Sequence, residues 1–133
     1  HHFRAGNELV QINVEGLRIS LFVCYDLRFA NEFWQLAPTT DVYLVPANWP
    51  ESRRAHWMAL LQARAIENQA FVVGCNRVGL GGNGLQYVGD SRIIDPLGNE
   101  TVAGEGRCIT YADVTAESVA QTRARFPFLQ DRR

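Results

Sequence analysis

Short apolar runs alternating with one strongly periodic helix predict an α/β layered fold. Two observations carry this. Apolar runs rich in β-branched and aromatic residues occupy 17–23, 42–45 and 71–75, each bounded by polar or turn-forming residues. The 52–69 stretch instead repeats its apolar residues at helical spacing. No internal repeat, low-complexity tract or linker interrupts the 133 residues, so all of them belong to one domain.

Taken in order, residues 9–14 and 17–23 flank Glu15-Gly16, a pair that reads as a two-residue hairpin turn because glycine tolerates the positive φ required there. Residues 29–36 predict a short helix, closed before Pro38. Val42-Tyr43-Leu44-Val45 is a compact strand, and Pro46 and Pro50, around Ala47-Asn48-Trp49, prevent any regular element from continuing. Trp57, Leu60, Leu61 and Ala65 fall at i, i+3, i+4 and i+8 of a helix over 52–69, with Ala55, Ala59 and Ala63 permitting close packing. Residues 71–75 return to a buried strand, and glycines at 79, 81, 82 and 84 predict a flexible loop. A second hairpin spans 92–95, the Pro96-Leu97-Gly98-Asn99 turn and 100–103. Residues 107–114 alternate, with Cys108, Thr110 and Ala112 on one face and Ile109, Tyr111 and Asp113 on the other, which predicts a strand. Thr115 caps a last helix that ends at Phe126-Pro127.

Composition excludes several classes. Apolar residues make up 47 % and charged residues 20 %, an ordinary globular balance. A net charge of −1 leaves no basic footprint for nucleic acid. No apolar stretch approaches the roughly 20 residues needed to span a bilayer, and His1-His2-Phe3-Arg4 lacks the apolar core of a signal peptide. Three cysteines, an odd number without paired spacing, suit a reducing compartment, hence a cytoplasmic location. The three cysteines and three histidines show no metal-binding spacing, and the Gly79 to Gly84 loop lacks the lysine of a phosphate loop, so neither metal nor cofactor is expected.

Cys24 carries the most chemistry. It ends the run Leu17-Arg18-Ile19-Ser20-Leu21-Phe22-Val23 and opens Tyr25-Asp26-Leu27-Arg28-Phe29, which puts a thiol at a strand end where the chain turns polar. Cys75 and Cys108 sit within strand-like runs and read as inert packing residues. His56 and Asp90 complete a Cys-His-Asp set by residue type alone, and nothing in their spacing supports it.

Cys24-Tyr25-Asp26-Leu27-Arg28-Phe29 resembles the nucleophile motif of the nitrilase superfamily of carbon-nitrogen hydrolases. Further segments resemble its omega-amidase branch in order and spacing: Ala47-Asn48-Trp49-Pro50, His56-Trp57, Ala63-Arg64-Ala65-Ile66-Glu67-Asn68-Gln69, Gly74-Cys75-Asn76-Arg77-Val78-Gly79, Gly82-Asn83-Gly84 and Gly89-Asp90-Ser91. The resemblance implies an αββα sandwich, of which this chain would supply roughly the carboxyl-terminal half. It implies Cys24 as the nucleophile, the Tyr25 N–H as an oxyanion donor, and Asn48 and Trp49 as pocket residues. Asp26 and Arg28 would brace the nucleophile's turn. Attack on a carboxamide would release ammonia and leave a thioester that water hydrolyses.

The family's glutamate base and oxyanion-stabilising lysine have no counterpart in the sequence. All 13 basic residues are arginine, and Glu8 and Glu15 lack the surrounding motif. His1-His2-Phe3 resembles the stretch just after the family's lysine, or is the remnant of a tag. The resemblance further implies a small 2-oxo dicarboxylic acid monoamide as substrate, whose free carboxylate requires a cationic or N–H-rich pocket; Arg28, Arg53 and Arg77 are the candidate contributors, and sequence does not choose among them. It also implies a homodimer joined through helices 29–36 and 52–69, with Met58 and Ile66 as surplus apolar residues. The alternative is a non-catalytic scaffold or pseudoenzyme of the same fold, which the missing lysine favours.

Overall fold

Asn13, Glu15 and Gly16 make the first turn. Glu15 and Gly16 both have positive φ, 49° and 88°, and Asn13 Oδ1 accepts the Gly16 N–H at 3.1 Å. That geometry matches the twist of the strands it joins, β1 (Val10–Val14) and β2 (Leu17–Leu21), which pair antiparallel with Val10 opposite Leu21 and Ile12 opposite Ile19. The computed structural model describes residue 4 and residues 6–132. The stretch His1-His2-Phe3, which resembles the segment just after the family's lysine, lies outside them.

A seven-stranded mixed sheet follows. β2, β3 (Val42–Ala47) and β4 (Phe71–Asn76) run parallel in that order, and β6 (Gln86–Ile94) adds antiparallel to β4. β5 (Val78–Leu80) and β7 (Glu100–Glu105) both pair with β6. The crossovers are α1 (Ala30–Leu36) between β2 and β3, and α2 (Arg54–Asn68) between β3 and β4. Thr115 Oγ1 accepts the Ser118 N–H and caps α3 (Ala116–Arg125), as the sequence predicts.

The main core lies between one sheet face and helices α1 and α2. Phe22, Tyr43, Val45, Val72 and Ile94 from the strands meet Phe33, Trp57, Leu61 and Ala65 from the helices. Phe22 stacks on Phe33 with ring centroids 3.9 Å apart. Each such fully buried side chain contributes roughly 1.5–3 kcal/mol of transfer free energy. Gly74 sets how closely α2 approaches: a Cβ there would stand 2.5 Å from Leu61 Cδ1 and 2.9 Å from Trp57 Cζ2. On α2 the buried stripe also takes in Arg64 and Asn68, two polar residues that the apolar pattern passes over. Arg64 reaches the Leu27 carbonyl, and Asn68 donates to the Arg64 carbonyl.

The opposite sheet face is only partly covered. α3 places Val119 on Val42 and Phe71, with Leu17, Ile19, Val73 and Ile93 around them. Val10, Ile12, Val14 and Leu21, which share this face by their cross-strand pairing, stay exposed to between 37 and 47 %.

Three elements differ from the sequence reading. β3 runs through Pro46 to Ala47 rather than stopping at Val45. Leu44 turns its carbonyl to the Phe22 N–H, so by alternation Pro46 faces the same side, where β2 has already ended and no ladder donor is needed. The glycine-rich loop contains β5, and β6 begins at Gln86 rather than 92, because Val78, Gly79 and Leu80 pair with Val88, Tyr87 and Gln86. Residues 107–114 form no strand. Their alternation is real, but no neighbouring strand pairs with them, and Ile109 and Tyr111 are left 78 and 81 % exposed. The second sheet of an αββα sandwich is not present among the described residues.

Candidate active site

β2 gives up its last ladder bond at Phe22, whose N–H donates to the Leu44 carbonyl at 3.0 Å. Val23 stays extended, and Cys24 then takes φ = 46°, in the left-handed region that a residue with a Cβ enters at roughly 1–2 kcal/mol. Asp26 holds this turn twice: its N–H donates to the Val23 carbonyl at 3.0 Å, and its Oδ2 accepts the Val23 N–H at 2.8 Å. A 3-10 turn, Cys24–Arg28, leads into α1. The sharp change of direction presents the half-buried Cys24 at the rim of the sheet rather than inside it.

Cys24 lines a cleft of about 450 Å³ with Val23, Pro46, Ala47, Asn48, Cys75, Asn76 and Arg77. All come from the carboxyl ends of β2, β3 and β4 or just beyond. This is where open sheets with parallel strands place their ligands.

Asn76 fixes the far wall. Its buried Oδ1 accepts the Trp49 N–H at 2.7 Å, and its Nδ2 donates to the Trp49 and Gly89 carbonyls at 3.1 and 2.8 Å. Gly89 and Asp90, with φ of 80° and 56°, kink β6 and bring that second carbonyl within reach. The Arg77 N–H donates to the Ala47 carbonyl at 3.0 Å. The 47–50 loop is therefore clamped, although two prolines deprive it of ladder donors.

Asn48 lines the cleft, but Trp49 does not. Its indole is 3 % exposed, tilted against Trp57 at 5.7 Å, and its Nε1–H donates to the Arg53 carbonyl at 2.7 Å. The expected pocket residue is a buried support, because its N–H partner lies beneath the loop. Arg28 stacks its guanidinium on that indole at 4.7 Å and meets His56 Nδ1 at 3.5 Å. The Tyr25 side chain is 65 % exposed and packs edge-on to Phe29.

Among the described residues lining the cleft there is no carboxylate and no histidine, and Arg77 is the one charged side chain. Glu8 and Glu15 are exposed and line no part of it. Asp90 is engaged elsewhere, 2.6 Å from Arg54 Nε, while the same arginine reaches Glu105 at 2.6 Å. His56, held by Arg28, makes no contact with Asp90 that would form a Cys-His-Asp chain. Cys75 and Cys108, expected to be packed, are both exposed. Cys75 sits on the sheet face that α3 leaves open, and Cys108 lies in the irregular 107–114 segment, where it donates to the Ala103 carbonyl.

Residues 1–124 match the carbon-nitrogen hydrolase family. This chain belongs to that family. It is 46 % identical over 133 residues to Omega-amidase YafV of Escherichia coli (strain K12), covering 98 % of this chain and 51 % of that protein. It is 37 % identical over 136 residues to the 2-oxoglutaramate amidase of Bacillus subtilis (strain 168), again over 98 % and 51 %. The crystal structure of XC1258 from Xanthomonas campestris, a CN-hydrolase superfamily protein with an arsenic adduct in its active site, superposes with a TM-score of 0.92. There the identity is 40 %, over 98 % of this chain and 52 % of that one. The chain thus spans about half the length of the curated relatives it matches, and its sheet and helices form an α/β nitrilase fold.

One residue of this carbon-nitrogen hydrolase cleft escapes a reading built on chemistry-bearing types. Asn76 is an amide at the end of an apolar strand, and its polarity at a buried position was the available signal. Arg77 was one of three arginines that sequence alone left equivalent. Among the described residues no helix is long and apolar enough to cross a membrane.

Proposed function

We propose that the protein is a thiol amidohydrolase that releases ammonia from the terminal carboxamide of a small 2-oxo dicarboxylic acid monoamide. The observation that carries this is the placement of Cys24, a thiol forced into a left-handed turn at the mouth of a cleft at the carboxyl ends of parallel strands. The similarity to an omega-amidase and a 2-oxoglutaramate amidase supports the substrate class, and the arsenic adduct in the active site of XC1258 is consistent with a reactive group at this kind of site.

In the proposed reaction the Cys24 sulfur bonds to the amide carbonyl carbon, and the oxyanion that develops is met by the Tyr25 backbone N–H. The C–N bond breaks, the nitrogen leaves as ammonia with a transferred proton, and a thioester remains. Water then adds to the thioester, returning the thiol and releasing a carboxylic acid. Asp26 and Arg28 hold the turn and the loop beneath it. Both proton transfers need a base and the oxyanion needs a cation beyond what this cleft contains. We infer that a glutamate and a lysine come from a part of the sandwich outside these 133 residues, which would then form its carboxyl-terminal half. The exposed face of Val10, Ile12, Val14 and Leu21 is a suitable seat for a second sheet.

The test is ammonia release from 2-oxoglutaramate by the protein and by Cys24→Ala. Abolition by this single change is expected; hydrolysis surviving it would refute the nucleophile. A second reading, a non-catalytic scaffold, is favoured by the absence of lysine, and failure to release ammonia from any linear amide would support it.

We also propose a cytoplasmic homodimer that pairs through α1 and α2. Phe29, just before α1, and Ile66 on α2 are 44 and 45 % exposed, whereas Met58 is half-buried against the core and is a poor probe of an interface. Ile66→Glu should yield monomers by light scattering; an unaltered mass would rule out this face.

A further inference from the structure

If the amidase reading holds, the substrate carries a free carboxylate as well as the amide, and a cleft walled by Val23, Pro46 and Ala47 must supply a counter-charge. Three arginines are near enough in sequence to be considered, and their placements differ. Arg28 has its face on Trp49 and an edge at His56, and it lies outside the cleft lining. Arg53 lies on the 3-10 turn Glu51–Arg53, outside the cleft lining, where its carbonyl accepts the Trp49 indole N–H.

Arg77 alone lines the cleft with Cys24. Its backbone is fixed by the bond to Ala47, its guanidinium lies over the Tyr87 ring at 5.1 Å, and Nη2 donates to the Leu80 carbonyl at 3.3 Å. No carboxylate among the described residues pairs with it. Of five N–H donors, most remain for a ligand, on a side chain that one aromatic face already orients. The two amides of the cleft do not compete for this role. Asn76 is spent on Trp49 and Gly89, and Asn48 is uncharged.

We propose that Arg77 binds the substrate's free carboxylate and so sets the preference for dicarboxylic acid monoamides over neutral amides. This rests on the amidase reading. The carboxylate would meet the guanidinium edge while the carboxamide at the other end of the molecule reaches the Cys24 sulfur. Such an anchor acts through binding, and its loss falls on KM.

The experiment compares 2-oxoglutaramate with 4-oxopentanamide, the same amide with a methyl group in place of the carboxylate. Arg77→Gln should lower the ratio of kcat/KM for the two by about 10- to 100-fold, the range of a charge-assisted hydrogen bond, mainly through a higher KM for 2-oxoglutaramate. Arg77→Lys should recover part of the ratio, since it keeps the charge and loses the fork. An unchanged ratio, or equal losses on both amides, would overturn the proposal.

A second readout does not require turnover: protection of Cys24 from iodoacetamide by 2-oxoglutarate, followed by peptide mapping. Protection that Arg77→Gln removes supports the anchor even if the unaltered protein hydrolyses neither amide, in which case the amidase reading alone has failed. Absent protection, or protection equal in Arg77→Gln, overturns the anchor.

Discussion

The side-chain amide of Asn76 holds Trp49 by both of its backbone polar groups, accepting its N–H at 2.7 Å and donating to its carbonyl at 3.1 Å. Both Trp49 groups are buried, so removing the amide leaves them without partners. Asn76→Ala should cost about 2–3 kcal/mol in urea unfolding and release the Trp49 N–H to faster hydrogen exchange. Asn76→Asp should be worse, because it turns an acceptor toward two carbonyls. Wild-type exchange at Trp49 in the alanine variant would show that the clamp lies elsewhere.

Gly74 predicts a close-packing penalty of a different kind. Gly74→Ala drives a methyl against Leu61 Cδ1, which is fully buried, and should destabilise by about 1–3 kcal/mol. Leu61→Ala alone should cost about 2–5 kcal/mol through the cavity it opens. The double variant should lose less than the sum, since the new methyl occupies part of that space. Strict additivity in thermal denaturation would contradict the contact.

Asp41 gives the fold a titratable fastening. Burial alone would raise its carboxyl, but the Arg18 side chain and backbone N–H both donate to it, at 2.6 to 3.0 Å, and with the nearby positive charge of Arg123 they hold it below the usual carboxylate range. A carboxyl lowered on folding stabilises above its unfolded pKa of about 3.9, and the contribution is lost as pH falls below that toward the folded value. Stability measured from pH 6 to pH 3 should therefore fall less steeply for Asp41→Asn than for the parent, from a lower starting point. Parallel curves would remove Asp41 from the account.

Thiol accessibility separates the cysteines by consequence rather than by rate. Cys75 and Cys108 are exposed and Cys24 is half-buried, so iodoacetamide should label all three in the folded protein, against the sequence expectation of one reactive thiol. Loss of ammonia release should follow the modification of Cys24. Cys108→Ser should leave that time course unaltered, and inactivation that tracks Cys108 instead would detach the chemistry from the turn at Cys24.

Local periodicity made much of the fold legible. The Glu15-Gly16 turn, α2 and the Thr115 cap are each specified by residues within a few positions of one another, and each appears where the sequence placed it. Pairing is what local pattern does not contain. Gly79 looks like loop because its strand is three residues long and exists only through β6, while residues 107–114 look like strand and lack a partner. At the site, the motif located the turn at Cys24, whereas Trp49 and Asn48, adjacent in sequence, part company: the Trp49 indole is buried beneath the loop and Asn48 lines the cleft. Arg77 could be singled out only once β3 and β4 were in register, with Ala47 beside Asn76.

The left-handed backbone at Cys24 bears on how this position tolerates replacement. In the strand just before it, valine or isoleucine would be the best-suited residues, yet one position later their branched Cβ meets the greatest steric conflict, and glycine or asparagine fits best. Selection for the thiol and selection for thermal robustness therefore pull apart at residue 24. A lineage relieved of the need for that sulfur would be expected to drift toward glycine or asparagine there, keeping the turn and its neighbours intact.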